Sequence, residues 1–350
     1  MCLRVTDMRG VDLERFPFDF DLTFAALTMH PDGRVYHRYG GRDERDPDHW
    51  LTLASFKRVL EQSEQDHRAY AQSLTGLVRK PAMGPKTSKP LHIEGVPSYK
   101  KRDKGACIHC HSVLPALYEE QIKLGSWTDM QRWRYSSPTR IGLDLDRDDQ
   151  QLIVRIAAAS PAAKAGLRVG DRLQSFGSAM VVTASDVMFQ LDRFPADGGR
   201  LDVELKRGQQ KVETALELEA DWKRGTPLEF SWRPFKWGLT PAPGFGGPQL
   251  DRDALLRLDL ITAGHSASLP FAMRVNYLVT WGENRRYGQA VMQAGLRKGD
   301  IVLALAGKSD FASVNHFHSW WRLTREAGQT VAIEVLRGEK RLTFEVDVLP

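Results

Sequence analysis

The hydrophobic and polar positions of residues 1–75 predict two strands, a hairpin turn and a helix. The apolar run Leu22 to Met29 leads through the turn His30-Pro-Asp-Gly33 into a second strand from Arg34 to Tyr39. In such a turn proline presets φ, and glycine accepts a positive φ. A helix is expected from Pro47 to about Ser73, because Asp46 is a typical N-cap and Pro47 a typical first residue.

Two finer expectations belong to the same segment. The helix should bury an apolar stripe at helical spacing that consists of Leu53, Phe56, Val59 and Leu60. The segment Cys2 to Val5 reads as a short strand, with Cys2 as a small buried residue.

An internal repeat organises the second half of the chain. The segment "AAKAGLRVGDRL" at Ala162 to Leu173 recurs as "VMQAGLRKGDIV" at Val291 to Val302, and each copy is followed by a helix and a strand pair around an Arg-Gly turn. The first glycine of each copy, Gly166 or Gly295, is expected to end a helix in the left-handed conformation. The second, Gly170 or Gly299, is expected to form the turn into the next strand.

Both copies resemble PDZ domains of the bacterial type, whose hallmark is a short helix that ends in Ala-Gly-Leu-x-x-Gly-Asp. The resemblance implies that peptide or protein C-termini bind as an added strand beside a loop and a helix. In the first copy, residues 139–220, "RIGLD" occupies the place of the carboxylate-binding loop. The implied peptide-binding residues are Ile141, Gly142 and Leu143 in the loop, and Val187 and Leu191 on the helix.

The second copy, residues 263–350, is a looser match. Arg274 to Trp281 replaces a recognisable carboxylate loop. Peptide recognition is therefore expected in the first copy, and changes in the second copy should affect stability more than binding.

The chemically distinctive stretch is Gly105-Ala-Cys-Ile-His-Cys-His111. Its Cys-x-x-Cys-His spacing is typical of covalent haem c, in which Cys107 and Cys110 form thioethers and His111 ligates the iron. A sixth ligand could be Met83, His92 or Met130, and nothing ranks the three. The alternatives are a zinc site that uses Cys107, Cys110, His111 and His109, and a dithiol or structural disulfide.

Composition sets limits on the function. The 350 residues carry 49 basic and 44 acidic side chains, so the net charge of +5 does not predict nucleic-acid binding. No apolar run is long enough for a membrane span. Tandem PDZ domains accompany bacterial serine proteases, but neither a Gly-Asn-Ser-Gly-Gly loop nor a Gly-x-Ser-x-Gly elbow is present. The chain as given contains no catalytic constellation.

The segment "HPDGRVYHRYGG", together with the strand, hairpin and helix predicted for residues 1–75, resembles the C-terminal half of a thioredoxin-like domain. Together with the Cys-x-x-Cys-His run, the two PDZ-like copies and the segment "SWRPFKWGLTPAPGFGG", the chain resembles a bacterial family of thioredoxin-like/PDZ (seleno)proteins. This resemblance implies a redox element upstream of Met1, a redox partner and an extracytoplasmic location. A chain complete as given would instead be cytoplasmic.

These observations predict a multidomain α+β protein. The expected parts are a partial thioredoxin-like unit (1–75), a linker with the Cys-x-x-Cys-His insert (76–138), a first PDZ domain (139–220), a Trp/Pro-rich segment (221–262) and a second PDZ domain (263–350). The expected function is peptide binding combined with a haem c site. The alternatives are a non-catalytic adaptor with a zinc or disulfide staple, and a thiol-disulfide or peroxidase-like oxidoreductase whose active-site half lies upstream.

Overall fold

The computed structural model describes residues 2–19, 24–41, 48–75, 93, 96, 108–110, 113–225, 241–266, 268–282 and 284–350. The chain forms two compact units, Met1–Gly225 and Thr226–Pro350. Helices and small antiparallel sheets occur in both, so the structure is mixed α and β, as expected. Within the described ranges, no helix is both long and apolar enough to cross a membrane.

The predicted N-terminal hairpin is confirmed. Strand β1 (Ala25–Met29) pairs antiparallel with β2 (Val35–Gly40). Helix α1 covers Leu53–Thr75 and begins later than predicted. Thr52 acts at its start, because its Oγ1 accepts a hydrogen bond from the Ser55 amide at 3.1 Å. The expected start residues Asp46 and Pro47 lie outside the described residues.

The predicted inward stripe of α1 is wrong at two of its four positions. Leu53 is 85% exposed and Leu60 is 49% exposed, whereas Val59 is buried. The buried row instead follows the spacing of four residues through Ser55, Val59 and Ser63. A serine is tolerated there because its hydroxyl is satisfied locally: Ser63 Oγ donates to the Val59 carbonyl at 2.6 Å.

The prediction for the first residues is also wrong. Cys2 is exposed, and Cys2 to Val5 form no strand. Leu3 and Val5 are 76% and 63% exposed, so this stretch lacks the apolar contact that would hold a strand in place.

Between the hairpin unit and the first repeat, α2 covers Val113–Lys123. Two short 3₁₀ helices follow, Asp129–Trp133 and Pro138–Ile141. The second of them leads directly into the first repeat.

The first repeat consists of a two-stranded sheet, a four-stranded sheet and two helices. The two-stranded sheet is formed by β3 (Leu143–Leu145) and β4 (Ile153–Ile156). The other elements are α3 (Pro161–Lys164), β5 (Arg172–Phe176), β6 (Ala179–Met180), α4 (Ala184–Arg193), β7 (Gly199–Arg207) and β8 (Gln210–Leu218). The four-stranded sheet has the order β6-β5-β7-β8.

The second repeat is built on the same plan. Its elements are β9 (Phe245–Gly246), α5 (Arg252–Arg257), β10 (Met273–Arg274), β11 (Tyr277–Leu278), α6 (Arg285–Gln293), β12 (Ile301–Leu305), α7 (Val314–Thr324), β13 (Thr330–Arg337) and β14 (Lys340–Asp347). Strands β9 and β11 pair with each other, and a four-stranded sheet has the order β10-β12-β13-β14.

The sequence that the two copies share, Ala-Gly-Leu-Arg-x-Gly-Asp, has the expected backbone geometry. Gly166 and Gly295 follow their helices with φ of +77° and +107°. Gly170 and Gly299 have φ of +90° and +93° at the turn into β5 and β12. These four left-handed positions confirm the roles predicted for the glycines.

The aspartate of this shared sequence also forms a buried ion pair in each copy. In the first copy, Asp171 accepts from Arg207 Nε at 2.8 Å and from the Arg168 amide at 2.8 Å. In the second copy, Asp300 accepts from Arg337 Nε at 2.7 Å and from the Arg297 amide at 2.8 Å. The aspartate of each Gly-Asp pair thus ties the helix-to-strand turn to the Arg-Gly hairpin.

Candidate functional site

The loop that precedes β3 has a conformation that requires glycine at position 142. Gly142 has φ of +87°, and its amide donates to the Thr139 carbonyl at 2.9 Å. A Cβ at this position would clash with the side chain of Ser160, the N-cap of α3. The loop is therefore fixed on one side by the 3₁₀ helix and on the other by the start of α3.

Strand β3 uses only one of its two edges for pairing. The Ala157 amide donates to the Gly142 carbonyl at 2.9 Å, and the Asp146 amide donates to the Leu152 carbonyl at 3.0 Å. Because residues of an antiparallel ladder alternate in direction, the backbone groups of Leu143 and Leu145 face away from β4. Within the described ranges, β4 is the one strand that pairs with β3. On the outer edge, the backbone groups of Leu143 and Leu145 pair with no other described strand, although both residues are buried.

The implied peptide-binding side chains lie together, but they lie in the core. Ile141, Leu143, Val187 and Leu191 are each 0% exposed and belong to one hydrophobic cluster. That cluster also contains Trp50 and Trp222. These exposures are for whole residues, so the backbone of Leu143 is covered as well as its side chain.

Helix α4 carries an acidic residue that is already paired. Asp192 accepts from Arg134 Nε at 2.7 Å and Nη2 at 2.6 Å, and also from the Tyr135 amide at 3.1 Å. Tyr135 packs against Met188 and Phe189 of the same helix. The segment before the 3₁₀ helix therefore covers one face of α4, a feature that the residue pattern did not indicate.

A second polar cluster joins the N-terminal hairpin to α4. His37 of β2 is 1% exposed, and its Nε2 lies 2.6 Å from Asp66 Oδ2 of α1. Its Nδ1 lies 3.3 Å from Asp186 Oδ2 of α4. Asp186 also accepts the Arg38 amide at 2.9 Å and the Thr183 amide at 3.1 Å.

The two carboxylates favour the protonated form of His37. Burial lowers the pKa of its imidazole, whereas the hydrogen bond and charge of Asp186, followed by those of Asp66, raise it. The second effect is larger, so the pKa of His37 lies above the ordinary histidine value of 6.5. Because both ring nitrogens face carboxylate oxygens, the imidazolium satisfies both acids as a double donor. The cluster thus tethers β2, α1 and α4.

The Cys-x-x-Cys-His run is described only in part. Ile108 is buried, and its amide donates to Asp7 Oδ1 at 3.1 Å, while Cys110 is half-buried. Cys107 and His111 lie outside the described residues, as do Met83 and His92; Met130 is half-buried. The described part of the chain contains no group of three His, Cys, Asp or Glu side chains suited to a metal. The haem and zinc hypotheses stay predictions.

Of the three tryptophans in the Trp/Pro-rich segment, one is described. Trp222 packs into the core of the first repeat, and its Nε1 donates to the Pro195 carbonyl at 2.7 Å. Its own carbonyl accepts from Arg140 Nε at 3.0 Å. Trp222 therefore contacts the loop before β3 through Arg140. Trp232 and Trp237 lie outside the described residues.

In the second repeat, the counterpart of the first loop is not at Arg274 to Trp281. The Val279 amide donates to the Gly244 carbonyl at 2.8 Å, matching the bond from Ala157 to Gly142. Gly244 has φ of +76°, and Leu278 pairs with Phe245 as Ile156 pairs with Leu143. The equivalent residues are therefore Gly244, Phe245 and Gly246, upstream of the expected boundary at residue 263.

A long insertion hid this equivalence from sequence reading. Between β9 and β11 the chain makes an excursion that contains α5 and packs against β12 and β13 in a small apolar cluster. Strands β3 and β4 are instead joined by a short connection. The signal that could have revealed the loop is the shared pattern of glycine followed by a buried apolar residue, Gly142-Leu143 and Gly244-Phe245.

Comparisons with known proteins add little to this geometry. No protein-family model matches the chain, and no curated protein sequence matches it. One solved structure, the HtrA-type protease AlgW with a decapeptide, is 15% identical over 43% of this chain and 48% of that one, with a TM-score of 0.23. A variant of the same protease with a decapeptide is 16% identical over 32% and 35% of the two chains, also with a TM-score of 0.23. The matched region is less than half the length of these proteases, and similarity at this level supports no argument about function.

Proposed function

We propose that the first repeat, residues 139–220, is a PDZ-type unit that binds the C-terminal segment of another polypeptide as an added strand. The observation that carries the proposal is the outer edge of β3, where the backbone groups of Leu143 and Leu145 face away from β4. An extended peptide can pair with such an edge through main-chain hydrogen bonds. Because Leu143 and Leu145 are 0% and 4% exposed, the groups that cover this edge must move when the peptide binds.

The loop geometry specifies how the terminal carboxylate would be held. Gly142 already donates its amide to Thr139, so the next amide, that of Leu143, is the nearest donor of the β3 edge to the loop. A carboxylate that accepts from this amide forms a charge-assisted hydrogen bond, which is stronger than a bond to a neutral carbonyl. Leu145 then pairs with the peptide backbone two residues farther along the strand.

The experiment is amide hydrogen exchange on the full chain. The probes are decapeptides with an apolar last residue, each prepared with a free C-terminal carboxylate and with a C-terminal amide. The carboxylate forms should slow exchange at Leu143 and Leu145, and the amide forms should bind at least about tenfold more weakly, a difference of about 1.4 kcal/mol. The internal control is exchange of the Asp144 amide, which lies between these two residues and faces β4, so peptide binding should not change it. Unchanged exchange at both leucines, or equal binding of both peptide forms, would contradict the proposal.

A further inference from the structure

The last turn of α4 lies beside the loop that leads into β3. The Asp192 carbonyl accepts from Lys223 Nζ at 2.7 Å, and the carbonyl of the adjacent Trp222 accepts from Arg140 Nε at 3.0 Å. Arg140 belongs to the 3₁₀ helix that ends at Gly142. These two bonds therefore bring α4 next to the place where the proposed peptide carboxylate is held.

The segment that directly precedes this loop covers one face of α4. Tyr135 packs against Met188 and Phe189, and all three residues are buried. Arg134 forms a bidentate ion pair with Asp192, and its guanidinium carbon lies 5.4 Å from the centre of the Tyr135 ring. The Arg134–Tyr135 pair, here termed the latch, thus helps to shield two apolar side chains of α4 from solvent.

The latch is held in a strained conformation. Tyr135 has φ of +51°, in the left-handed region that residues with a Cβ rarely adopt. Its amide donates to Asp192 Oδ1 at 3.1 Å, so the carboxylate that pairs with Arg134 also fixes this backbone. Release of the latch from α4 relieves this strain, and residues strained in this way cluster in segments that switch between two arrangements.

The two flanks of α4 face different parts of the repeat. Leu191 points into the core cluster together with Leu143 of β3. Its neighbours Gln190 and Asp192 lie about 100° to either side of it around the helix. Gln190 lies beside Gly177, at the turn between β5 and β6. The flank of Asp192, which the latch covers, lies on the opposite side, toward the loop before β3.

We propose that the latch is an autoinhibitory contact, which occupies the flank of α4 where the last side chain of a bound peptide packs and which must leave before the peptide adds to β3. The inference rests on the proposed strand addition and adds a regulation to that same site. The place that the Tyr135 ring vacates, against Met188 and Phe189, is apolar and suits an apolar last residue.

This competition has a consequence that can be measured. The apparent affinity of a ligand falls in proportion to the fraction of molecules in the binding-competent state. When the latch is closed in most molecules, variants that weaken it should therefore bind C-terminal peptides more tightly than the unaltered chain does. A segment that only supports the fold would have the opposite effect, or none, when it is weakened.

The test measures binding of a fluorescent decapeptide, with a free C-terminus and phenylalanine as its last residue, to variants of the full chain. Arg134→Met and Tyr135→Ala should each tighten binding at least about threefold. The direction is informative for Arg134→Met, because loss of a cation near a bound carboxylate would by itself weaken binding. Tyr135→Phe keeps the ring that packs on α4, and it should bind as the unaltered chain does.

A second control addresses general loosening of the repeat. Asp171→Asn weakens the buried pair with Arg207, which also joins a carboxylate to an arginine through two hydrogen bonds. This variant should not tighten peptide binding. Equal tightening in Asp171→Asn and in the two latch variants would assign the effect to loosening and overturn the inference.

Amide exchange on the unaltered chain separates the latch from the peptide site. The Tyr135 amide, which is bonded to Asp192, reports on the latch, and the Leu143 amide reports on strand addition. Saturating peptide should slow exchange at Leu143 and speed it at Tyr135. If a latch variant does not fold, this measurement decides the question.

Three outcomes remain to be distinguished. Slower exchange at Leu143 with unchanged exchange at Tyr135 would overturn the latch, while the proposed function stands. Unchanged or weaker peptide binding by both folded latch variants would do the same. Unchanged exchange at Leu143 in the unaltered chain and in both latch variants would overturn both proposals.

Discussion

Gly142 is the residue on which the proposed peptide site depends most. Its φ of +87° is strained for any other residue, and a Cβ would clash with Ser160. We expect Gly142→Val to weaken binding of C-terminal peptides at least tenfold, because the loop and the first paired amide must shift. Binding of a fluorescent peptide, followed by anisotropy, measures the effect.

The control for this variant is Gly170→Val. Gly170 has φ of +90°, so a valine there suffers backbone strain of about 1–2 kcal/mol, similar to that of a valine at Gly142. Open space surrounds the position of its Cβ, so this variant adds no clash near β3. Equal loss of peptide affinity in the two variants would show that the effect is one of stability rather than of the loop.

His37 makes stability depend on pH in a direction that can be worked out. Its folded-state pKa lies above the ordinary value of 6.5, so the folded state binds the proton more tightly than the unfolded state. The resulting stabilisation is fully present below the unfolded pKa and is lost as pH rises through the folded pKa.

Replacement of His37 should therefore be most costly at low pH. His37→Ala removes the imidazolium that lies between Asp66 and Asp186, and we expect the free energy of unfolding to fall by about 3 kcal/mol at pH 6. The difference from the unaltered chain should shrink at pH 9. Urea unfolding at both pH values measures it, and a difference independent of pH would contradict the charged form of His37.

Single residues were predictable from sequence where backbone conformation dictates the residue type. The left-handed glycines of the two repeats could be located because few other residues adopt that conformation at low cost. The burial of His37 and the pairing of Asp192 with Arg134 could not, since each depends on contacts between residues far apart in the chain. The exposure of Leu53 and Leu60 shows the same limit for apolar residues.

Among the elements, each repeat is held together at its Gly-Asp turn by the same ion pair. Asp171 and Asp300 are 1% and 2% exposed and accept hydrogen bonds from an arginine and a turn amide. We expect Asp171→Ala and Asp300→Ala each to lower the free energy of unfolding by about 2–3 kcal/mol, because hydrogen bonds to a buried carboxylate are lost.

Asp202 offers a surface control for these two variants. It is exposed and pairs with Arg200 at 3.1 Å, so Asp202→Ala should cost less than about 1 kcal/mol. Chemical denaturation of the three variants gives the comparison. A marked effect in only one of the two repeats would contradict their structural equivalence.

Element types were easier to predict than their boundaries. The hairpin around His30 to Gly33 and the repeat-specific strand pairs follow from turn residues and alternation. The start of α1 was placed too early, because the helix begins at Leu53, where Thr52 accepts a hydrogen bond from the Ser55 amide. The loop of the second repeat was missed because the α5 insertion separates β9 from the strand with which it pairs.

For the whole molecule, covalent haem c at Cys107, Cys110 and His111 stays a prediction from the motif. When the protein is exported in a host with haem c maturation machinery, we expect haem that survives denaturation. Loss of either cysteine should impair attachment, and His111→Ala should chiefly alter ligation and redox potential. Absorption spectroscopy and metal analysis test this. A colourless exported protein with one zinc per chain would favour the alternative.

The account of the whole molecule depends on strand addition at β3, and the structure of the full chain with a bound C-terminal peptide tests this claim most directly. We predict that the peptide lies antiparallel to β3, and that its terminal carboxylate lies beside Gly142 and accepts from the amide of Leu143. A backbone carbonyl of the peptide should accept from the amide of Leu145, and both hydrogen bonds should measure about 2.9 Å. A peptide bound elsewhere on the first repeat, with these two amides unpaired, would contradict the account.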